Sequence, residues 1–278
     1  MPEGWEWDET LFRGAAAHYA QGRIPYPPRL HDAFAAHADL SGSPRLLDVG
    51  CGPGTVALRL ADLFTEVVGV DPDADMLAEA ARLAEAQGVT NGRWVQRRAE
   101  DLPADLGSFR YATFAQSFHW MEREVVAATV FDVLEPGGAF VHVNTQVEDV
   151  ADRPSALPHP PPPVREIERL RESYLGPVRR AGQGVLASGT PGAEPAVLEA
   201  AGFEAPRVVR IAGLGAIDRS AGDVVDHVLS QSGSAPHLFG PRLAHFEADL
   251  RAVLAEAAPD GRFTDWSGDV ALFFFRRP

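Results

Sequence analysis

A doubly wound α/β fold is what this chain of 278 residues predicts, and three stretches carry the prediction. In LLDVGCGPGT, Leu46 to Thr55, an apolar run (Leu46, Leu47, Val49) meets glycines at alternate positions, Gly50, Gly52 and Gly54. The run is a short buried strand, and the glycines mark a sharp turn where backbone approaches a ligand closely. In TVALRLADLF, Val56, Leu60 and Leu63 with Ala57 and Ala61 recur at helical spacing, as in a helix packed on a sheet. In EVVGVDPDADML, Glu66 to Leu77, a second strand ends at Asp71, 21 positions past Gly50. Strand, glycine turn, helix and strand open a nucleotide-binding βαβ unit, in which an acid at that distance bonds the ribose hydroxyls.

The turn's spacing discriminates between nucleotides. A dinucleotide turn, G-x-G-x-x-G, would require glycine at the position of Thr55. The chain instead reads Asp48-x-Gly50-x-Gly52-x-Gly54. This resembles motif I of the class I S-adenosylmethionine (SAM) methyltransferases; the other reading is a glycine-rich turn of some other α/β protein. The resemblance implies a Rossmann-like, doubly wound seven-stranded sheet whose last strand is antiparallel and lies in the sheet edge region, with helical cap or lid insertions. It implies SAM as cofactor and S-adenosylhomocysteine as product. The methionine end of SAM would lie over Gly50, Cys51 and Gly52, with Asp48 helping to hold the ammonium through water.

Upstream, residues 1–45 read as an N-terminal cap or arm. Pro25, Pro27 and Pro28 force extended chain before a helix over Arg29 to Leu40. The resemblance maps a cofactor-covering Tyr-x-x-x-Arg pair onto Tyr19 and Arg23, the ring toward the sulfonium and the guanidinium toward the cofactor carboxylate. The bland alternative is a hinge tyrosine and a surface charge. Phe12, Tyr26 and, more weakly, His18 are candidates for the acceptor pocket.

Residues 46–147 form the expected SAM-binding core. Asp71 is read as the ribose acid or, since Pro72 follows, as the cap of the next helix. Met76 and Pro72 lie where an adenine ring would pack, or Met76 is core. RWVQRRAEDLP gives a third strand and a turn, where the resemblance has Ala99 offer its N–H to the adenine. Relatives place an aspartate just before this alanine; here it is Arg98, so the adenine amine falls to Glu100 or Asp101, with Glu100 favoured. SFRYATFAQSFHWM is a fourth strand running apolar to Ala115. Ligands of open α/β sheets bind beyond such strand ends. There Gln116 would offer its carbonyl to the cofactor, His119 is the one obvious base, and Trp120 is acceptor wall or helix anchor. The A-x-x-x-H-W pattern resembles small-molecule methyltransferases of the trans-aconitate and ubiquinone-biosynthesis type (methyltransferase types 11 and 25). A helix, the Leu134-Glu135-Pro136-Gly137-Gly138 turn and a strand close this half.

Residues 148–194 read as an insert or lid. A proline-rich connector, Asp152 to Pro163, precedes an amphipathic helix with Val164, Ile167, Leu170 and Tyr174 on one face. Residues 195–278 resume the sheet pattern, interrupted at 218–262 by two further helices that carry His227, Ser230, His237 and Phe239. The strand Asp269 to Pro278 closes the chain. With the arm, the inserts are expected to form a mobile lid over the acceptor.

Composition bounds partners. The net charge of −14, from 25 basic and 39 acidic residues, argues against a nucleic-acid acceptor. The one cysteine, Cys51, allows no internal disulfide and is a small packing residue or, less simply, a reactive thiol. No apolar run approaches the roughly 18 residues of a membrane span. The start, MPEGWEWDE, lacks an apolar signal core, so a cytoplasmic monomer or homodimer is expected, with no membrane partner and no metal. The reading is a transferase that methylates a small-molecule acceptor at oxygen, nitrogen or carbon, in specialised or small-molecule metabolism. The alternatives are a SAM-binding cyclase or eliminating enzyme, and a non-catalytic SAM-binding protein.

Overall fold

The computed structural model describes residues 10–102, 104–145, 157–177 and 194–278. Its centre is a seven-stranded sheet of β1 (Arg45–Val49), β2 (Glu66–Asp71), β3 (Gly92–Gln96), β4 (Phe109–Ala115), β5 (Leu134–Thr145), β6 (Arg207–Ile211) and β9 (Val270–Arg276), in the order β3-β2-β1-β4-β5-β9-β6. β1 pairs in parallel with β2 and β4, and the order reverses there. The last strand is antiparallel to both its neighbours and lies in the edge region, one strand in from the edge, as expected. It lies between β5 and β6, because VALFFF is apolar on both faces and such a strand is stable only when both are covered. The half-exposed β6 takes the edge.

Two apolar layers flank the sheet. On one side α2 (Arg29–Ala35) and α3 (Thr55–Leu60) bury Leu30, Phe34, Val56 and Leu60; α2 stops five residues before the expected Leu40. α4 (Ala74–Gln87) follows β2, capped by the Asp73 carboxylate, which accepts from the amides of Asp75 and Met76. On the other side α5 (Arg123–Val133) and α7 (Glu194–Ala200) cover Phe114, Phe118 and Phe140; the rings of Phe114 and Phe140 stack at 4.1 Å.

A third core lies apart from the sheet. α6 (Val164–Leu175), α8 (Ala221–Leu229), α9 (Pro236–Phe239) and α10 (Leu243–Ala257) bury Val225, Leu229, Phe239, Phe246 and Leu250 together. So residues 164–175 and 221–257, expected as two separate inserts, share one cap. Ile167, Leu170 and Tyr174 face that core as predicted, but Val164 is 70% exposed, being the first residue of the helix with no turn before it to shelter it. Sequence reading missed a two-stranded ribbon in the cap, β7 (Gly215–Ser220) with β8 (Arg262–Ser267). Its strands carry Asp218, Arg219 and Asp265 amid short apolar runs, so neither shows a clean alternation. The remainder of the expected 148–194 lid, 148–156 and 178–193, lies outside the described residues.

The N-terminal arm joins cap to core. α1 (Ala16–Gly22) places Ala15 and Ala16 on Met76 of α4, and its last residue, Gly22, against α8. A Cβ on Gly22 would lie 2.2 Å from backbone atoms of Asp226 and His227, so the two main chains touch. Replacing Gly22 with alanine therefore drives α1 off α8. Overpacking of this kind costs about 1–3 kcal/mol, and we expect Gly22→Ala to lower the melting temperature by several degrees and to open the arm to protease. A melt and a digestion pattern like those of the parent chain would contradict this packing.

Candidate functional site

The C-terminal ends of β1, β2 and β4 meet at the glycine turn. Gly50 and Cys51 both donate their amides to the carbonyl of Val70, at 2.8 and 3.1 Å. Gly52 donates its amide to the Asp71 carboxylate at 2.9 Å, and Asp73 donates to the other oxygen at 2.9 Å. The turn and the end of β2 are thus one hydrogen-bonded unit. Asp71 does not cap α4, since Asp73 does. Gly50, Gly52 and Gly54 all have positive φ. At Gly50 a Cβ would also lie 2.6 Å from Cβ of Ser117, whereas at Gly52 it would meet nothing within 4 Å. The turn is therefore closed on the β4 side and open at Gly52. Cys51 is buried, and burial raises its thiol pKa, aided by Asp71 and Asp48, which makes it an inert packing group.

Asp48 lies beneath the turn, 1% exposed. Thr113 Oγ1 donates to it at 2.7 Å and the Ala57 amide, in the first turn of α3, at 3.1 Å. Desolvation pushes its pKa up to about 6, opposed by these bonds and reinforced by Asp71. Asp71, 8% exposed, is likewise raised to about 6 by burial, against the two amides that it accepts. Two buried carboxylates thus flank the glycines. The Gln96 amide donates to the carbonyl of Pro72 at 3.1 Å and pins β3 to this edge.

The arm closes the unit from above. Tyr19, Phe12 and Met76 share a small cluster, with Arg23 stacked 4.6 Å over the Tyr19 ring. Arg23 donates to the carbonyl of Ser230 at 2.8 Å, while its buried Nε has no partner among the described residues. Tyr26 has its phenol pKa raised by desolvation and by the nearby Tyr19 and Asp48, with Arg23 opposing. Tyr19, Arg23, Tyr26 and Asp48 therefore converge. Histidines of both sides serve this junction: from the cap, His227 Nδ1 is 3.2 Å from the carbonyl of Gly22 and His237 Nδ1 3.0 Å from that of Arg13, and from the arm His18 Nδ1 is 2.7 Å from Asp226. Ser230 and Phe239 are buried within the cap.

On the far side, Ala99 is buried at the start of a tight turn. Glu100 points toward α5, accepting the Glu122 amide at 2.9 Å and lying 3.4 Å from Arg98. Gln116 holds a φ of +55°, the one positive φ outside glycine among the described residues, and donates to Asn144 at 3.1 Å. Backbone strain of this kind clusters at functional sites. Ser117 was not singled out from sequence; its hydroxyl donates to the carbonyl of Val49 at 2.6 Å and its Cβ dictates glycine at position 50. His119 follows, stacked obliquely on Trp120, whose other edge meets Phe12 at 5.6 Å. Burial, with His142 and Arg123 nearby, lowers the His119 pKa to about 4, so its imidazole is neutral at physiological pH. No group of three or more metal-ligating side chains occurs among the described residues.

The turn makes a direct prediction. Gly50→Ala combines a left-handed φ with a clash at Ser117, which together cost about 2–4 kcal/mol. We expect a large fall in melting temperature, partly recovered by adding Ser117→Gly, which removes the closest contact but leaves Met121 Cε at 3.0 Å and the strained φ. Full stability of Gly50→Ala would refute the geometry.

Comparison with known proteins places this arrangement. Residues 46–138 match the methyltransferase domain family. Over 127 residues the chain is 35% identical to the Mycobacterium tuberculosis methyltransferase Rv3342, covering 46% of this chain and 49% of that protein. Over 138 residues it is 32% identical to the Bacillus subtilis methyltransferase YcgJ, covering 49% and 54%. The chain thus spans about half the length of the curated relatives it matches. Among solved structures, the [4+2]-cyclase SpnF aligns over 97% of this chain and 94% of its own with a TM-score of 0.54 at 20% identity. YcgJ of Bacillus subtilis aligns over 89% and 99% with a TM-score of 0.51 at 19% identity. At such identities these two similarities report the fold alone. The glycines and acids fit the family's cofactor, S-adenosylmethionine: Gly52 leaves the turn open on one side, and the Asp71 carboxylate is held at that side. Residues 46–138, which hold the glycine turn and the first strands of the sheet, are thus the part of the chain that matches the methyltransferase domain family.

Proposed function

We propose that this protein transfers the methyl group of SAM to a small-molecule acceptor. The observation that carries the reading is the bond between the Gly52 amide and the Asp71 carboxylate, which sets a buried acid beside an open glycine turn. In this reading Asp71 accepts from both ribose hydroxyls. Gly50, Cys51 and Gly52 present backbone to the methionine end, and Asp48 favours the ammonium through water from below. Tyr19 faces the sulfonium and Arg23 meets the carboxylate. Pro72 and Met76 border the adenine, Ala99 donates its N–H to it, and Glu100 takes the adenine amine with a lone pair left free by the Glu122 amide. Gln116 offers its carbonyl near the reacting end.

Transfer is a direct in-line displacement. The acceptor atom attacks the methyl carbon, the carbon–sulfur bond breaks, and its electron pair stays on sulfur, discharging the sulfonium. The protein's work is alignment and exclusion of water. Phe12, Tyr26 and Trp120 wall the acceptor, and His119 offers a neutral imidazole to an acceptor proton. The net charge of −14 disfavours nucleic-acid acceptors. The 1–45 arm and the inserts are read as the cover over this site.

Calorimetry with SAM and S-adenosylhomocysteine tests the binding half. A hydrogen bond to a charged group is worth about 1.5–3 kcal/mol, so Asp71→Ala is expected to weaken both ligands by one to two orders of magnitude. The bound diol requires the ionised carboxylate. Affinity is therefore constant above pH 6 and falls as pH drops through about 6, where Asp71 takes up a proton. Asp71→Asn reduces that dependence and leaves the part due to Asp48, whose pKa burial also raises to about 6. NAD binding in place of SAM would overturn the assignment. The transfer half is tested by mass spectrometry of a small-molecule extract incubated with enzyme and methyl-labelled SAM: a labelled small molecule is expected, and label in RNA alone would contradict the acceptor class.

A further inference from the structure

The chain leaves β4 through a residue that the backbone there does not suit. Gln116 holds a φ of +55°, a left-handed value that glycine meets without strain. Two bonds on its neighbour fix the reversal. Ser117 Oγ donates to the Val49 carbonyl at 2.6 Å, and the Ser117 carbonyl accepts from the Trp120 amide at 2.9 Å. Val49 ends β1, and the Ser117 Cβ would lie 2.6 Å from a Cβ at position 50. Gln116 is thus one residue from a contact with the glycine turn. Asparagine or aspartate can ease a left-handed φ by bonding nearby backbone, but the Gln116 side chain bonds a distant partner. Its Nε2 donates to Oδ1 of Asn144 at 3.1 Å, across 28 positions of sequence.

Asn144 stands near the end of β5, next to Val143, which pairs with Ala115 of β4. The two amides therefore lie side by side past the carboxyl ends of adjacent parallel strands, where ligands of open α/β sheets bind. Gln116 is exposed and Asn144 half-buried. A hydrogen bond that water replaces on opening adds little stability, so the bond does not explain why a side chain is kept at this φ. Strained backbone persists where it serves a function. One N–H···O bond between two carboxamides leaves one oxygen and one NH2 group outside it, whichever way the amides are turned. The pair thus accepts a hydrogen bond at one point and donates at the next, and it carries no charge. Among the described residues neither amide is hydrogen-bonded to a charged side chain.

We propose that the side chains of Gln116 and Asn144 are the specificity element for the acceptor, and that the acceptor is an uncharged molecule with a hydroxyl or carboxamide beside the atom to be methylated. This rests on the methyl-transfer reading above and concerns the Gln116 side chain, apart from the main-chain carbonyl that the same reading turns to the cofactor. A group that both gives and takes a hydrogen bond satisfies the two amides together. A carboxylate or phosphate would set its oxygens against the amide oxygen and leave the mismatch unpaid. The pair holds this polar group and not the reacting atom, whose proton still goes to His119 on the same turn.

The test incubates the full chain and its variants with methyl-labelled SAM and a small-molecule extract and reads labelled products by mass spectrometry. The melting temperature and the calorimetric affinity for S-adenosylhomocysteine are measured for each variant. Gln116→Gly relieves the φ and deletes the amide. Its melting temperature and S-adenosylhomocysteine affinity are expected to hold or rise, while label transfer falls about tenfold or more, as for loss of one hydrogen-bonding group. Asn144→Asp keeps an oxygen for the Gln116 N–H but has no NH2 to offer. It is expected to lose transfer to a similar degree, whereas a merely structural pair would tolerate it. Transfer at the parent rate in either variant would overturn the assignment. So would a loss of transfer matched by a loss of melting temperature or of S-adenosylhomocysteine affinity. A labelled product formed from a carboxylate or phosphate compound would overturn the acceptor class. Absence of any labelled product from the parent chain would mark failure of the methyl-transfer reading instead.

Discussion

The site depends on a main-chain junction. Three consecutive amides of the glycine turn, those of Gly50, Cys51 and Gly52, are spent on the last two residues of β2: two on the Val70 carbonyl and one on the Asp71 carboxylate. A turn built from glycine alone would be loose, since glycine has the most conformational freedom to lose. These bonds remove that freedom without adding a side chain on the open side. They also explain why the acid and the turn must come as a pair. Burying a carboxylate is costly unless hydrogen bonds satisfy it, and the turn supplies one of the two amides that Asp71 receives. The same logic holds on the other side of the turn for Asp48, which is held by Thr113 and by the start of α3.

The parts legible in the sequence were those where one residue type answers one local demand. Positive φ at three alternate positions demands glycine, and the apolar strands announce themselves by hydrophobic runs, so β1 to β5 and the glycine turn were readable from residues 46–145. What failed to show were features decided by partners distant in the chain. Nothing in VALFFF says that it inserts between β5 and β6; that follows from both of its faces needing cover. Gly22 looks like any helix-ending glycine, and its purpose appears only when α8 is laid across it. Ser117 looks like a neutral turn residue, and only the 2.6 Å that would separate its Cβ from a Cβ at position 50 shows what it excludes. The β7–β8 ribbon stayed hidden because its strands belong to the cap, where burial is partial and alternation is blurred by Asp218 and Arg219.

The cap has a physical reason to hold the arm. Its contacts to α1 are mostly hydrogen bonds directed at backbone: Arg219 and His227 to the carbonyl of Gly22, His237 to that of Arg13, and Arg23 of the arm to that of Ser230. The arm's contact with the sheet domain is instead a small apolar patch of Ala15, Ala16 and Met76 with Phe12 and Tyr19. Alanines bury little area, and hydrophobic stabilisation scales with area at about 25 cal/mol per Å². The bonds to the cap leave charged and main-chain groups unsatisfied when broken, whereas parting the patch re-exposes only a modest apolar surface. The weaker seam is therefore the one between arm and α4.

The two halves of the candidate site lie on either side of that seam. Tyr19 and Arg23 belong to the unit that includes the cap, while Asp48, Asp71 and the glycine turn belong to the sheet. The sheet side carries two buried carboxylates, and the arm side brings a guanidinium and aromatic rings. In the methyl-transfer reading proposed above, a ligand with a positive centre and a carboxylate satisfies both at once, its cation toward the aspartates and the Tyr19 face and its anion toward Arg23. The zwitterionic end of an amino acid has this character, and a neutral ligand of the same shape would leave the aspartates uncompensated. In that reading the rings of the arm exclude water from the ligand, and low local dielectric strengthens each of these interactions.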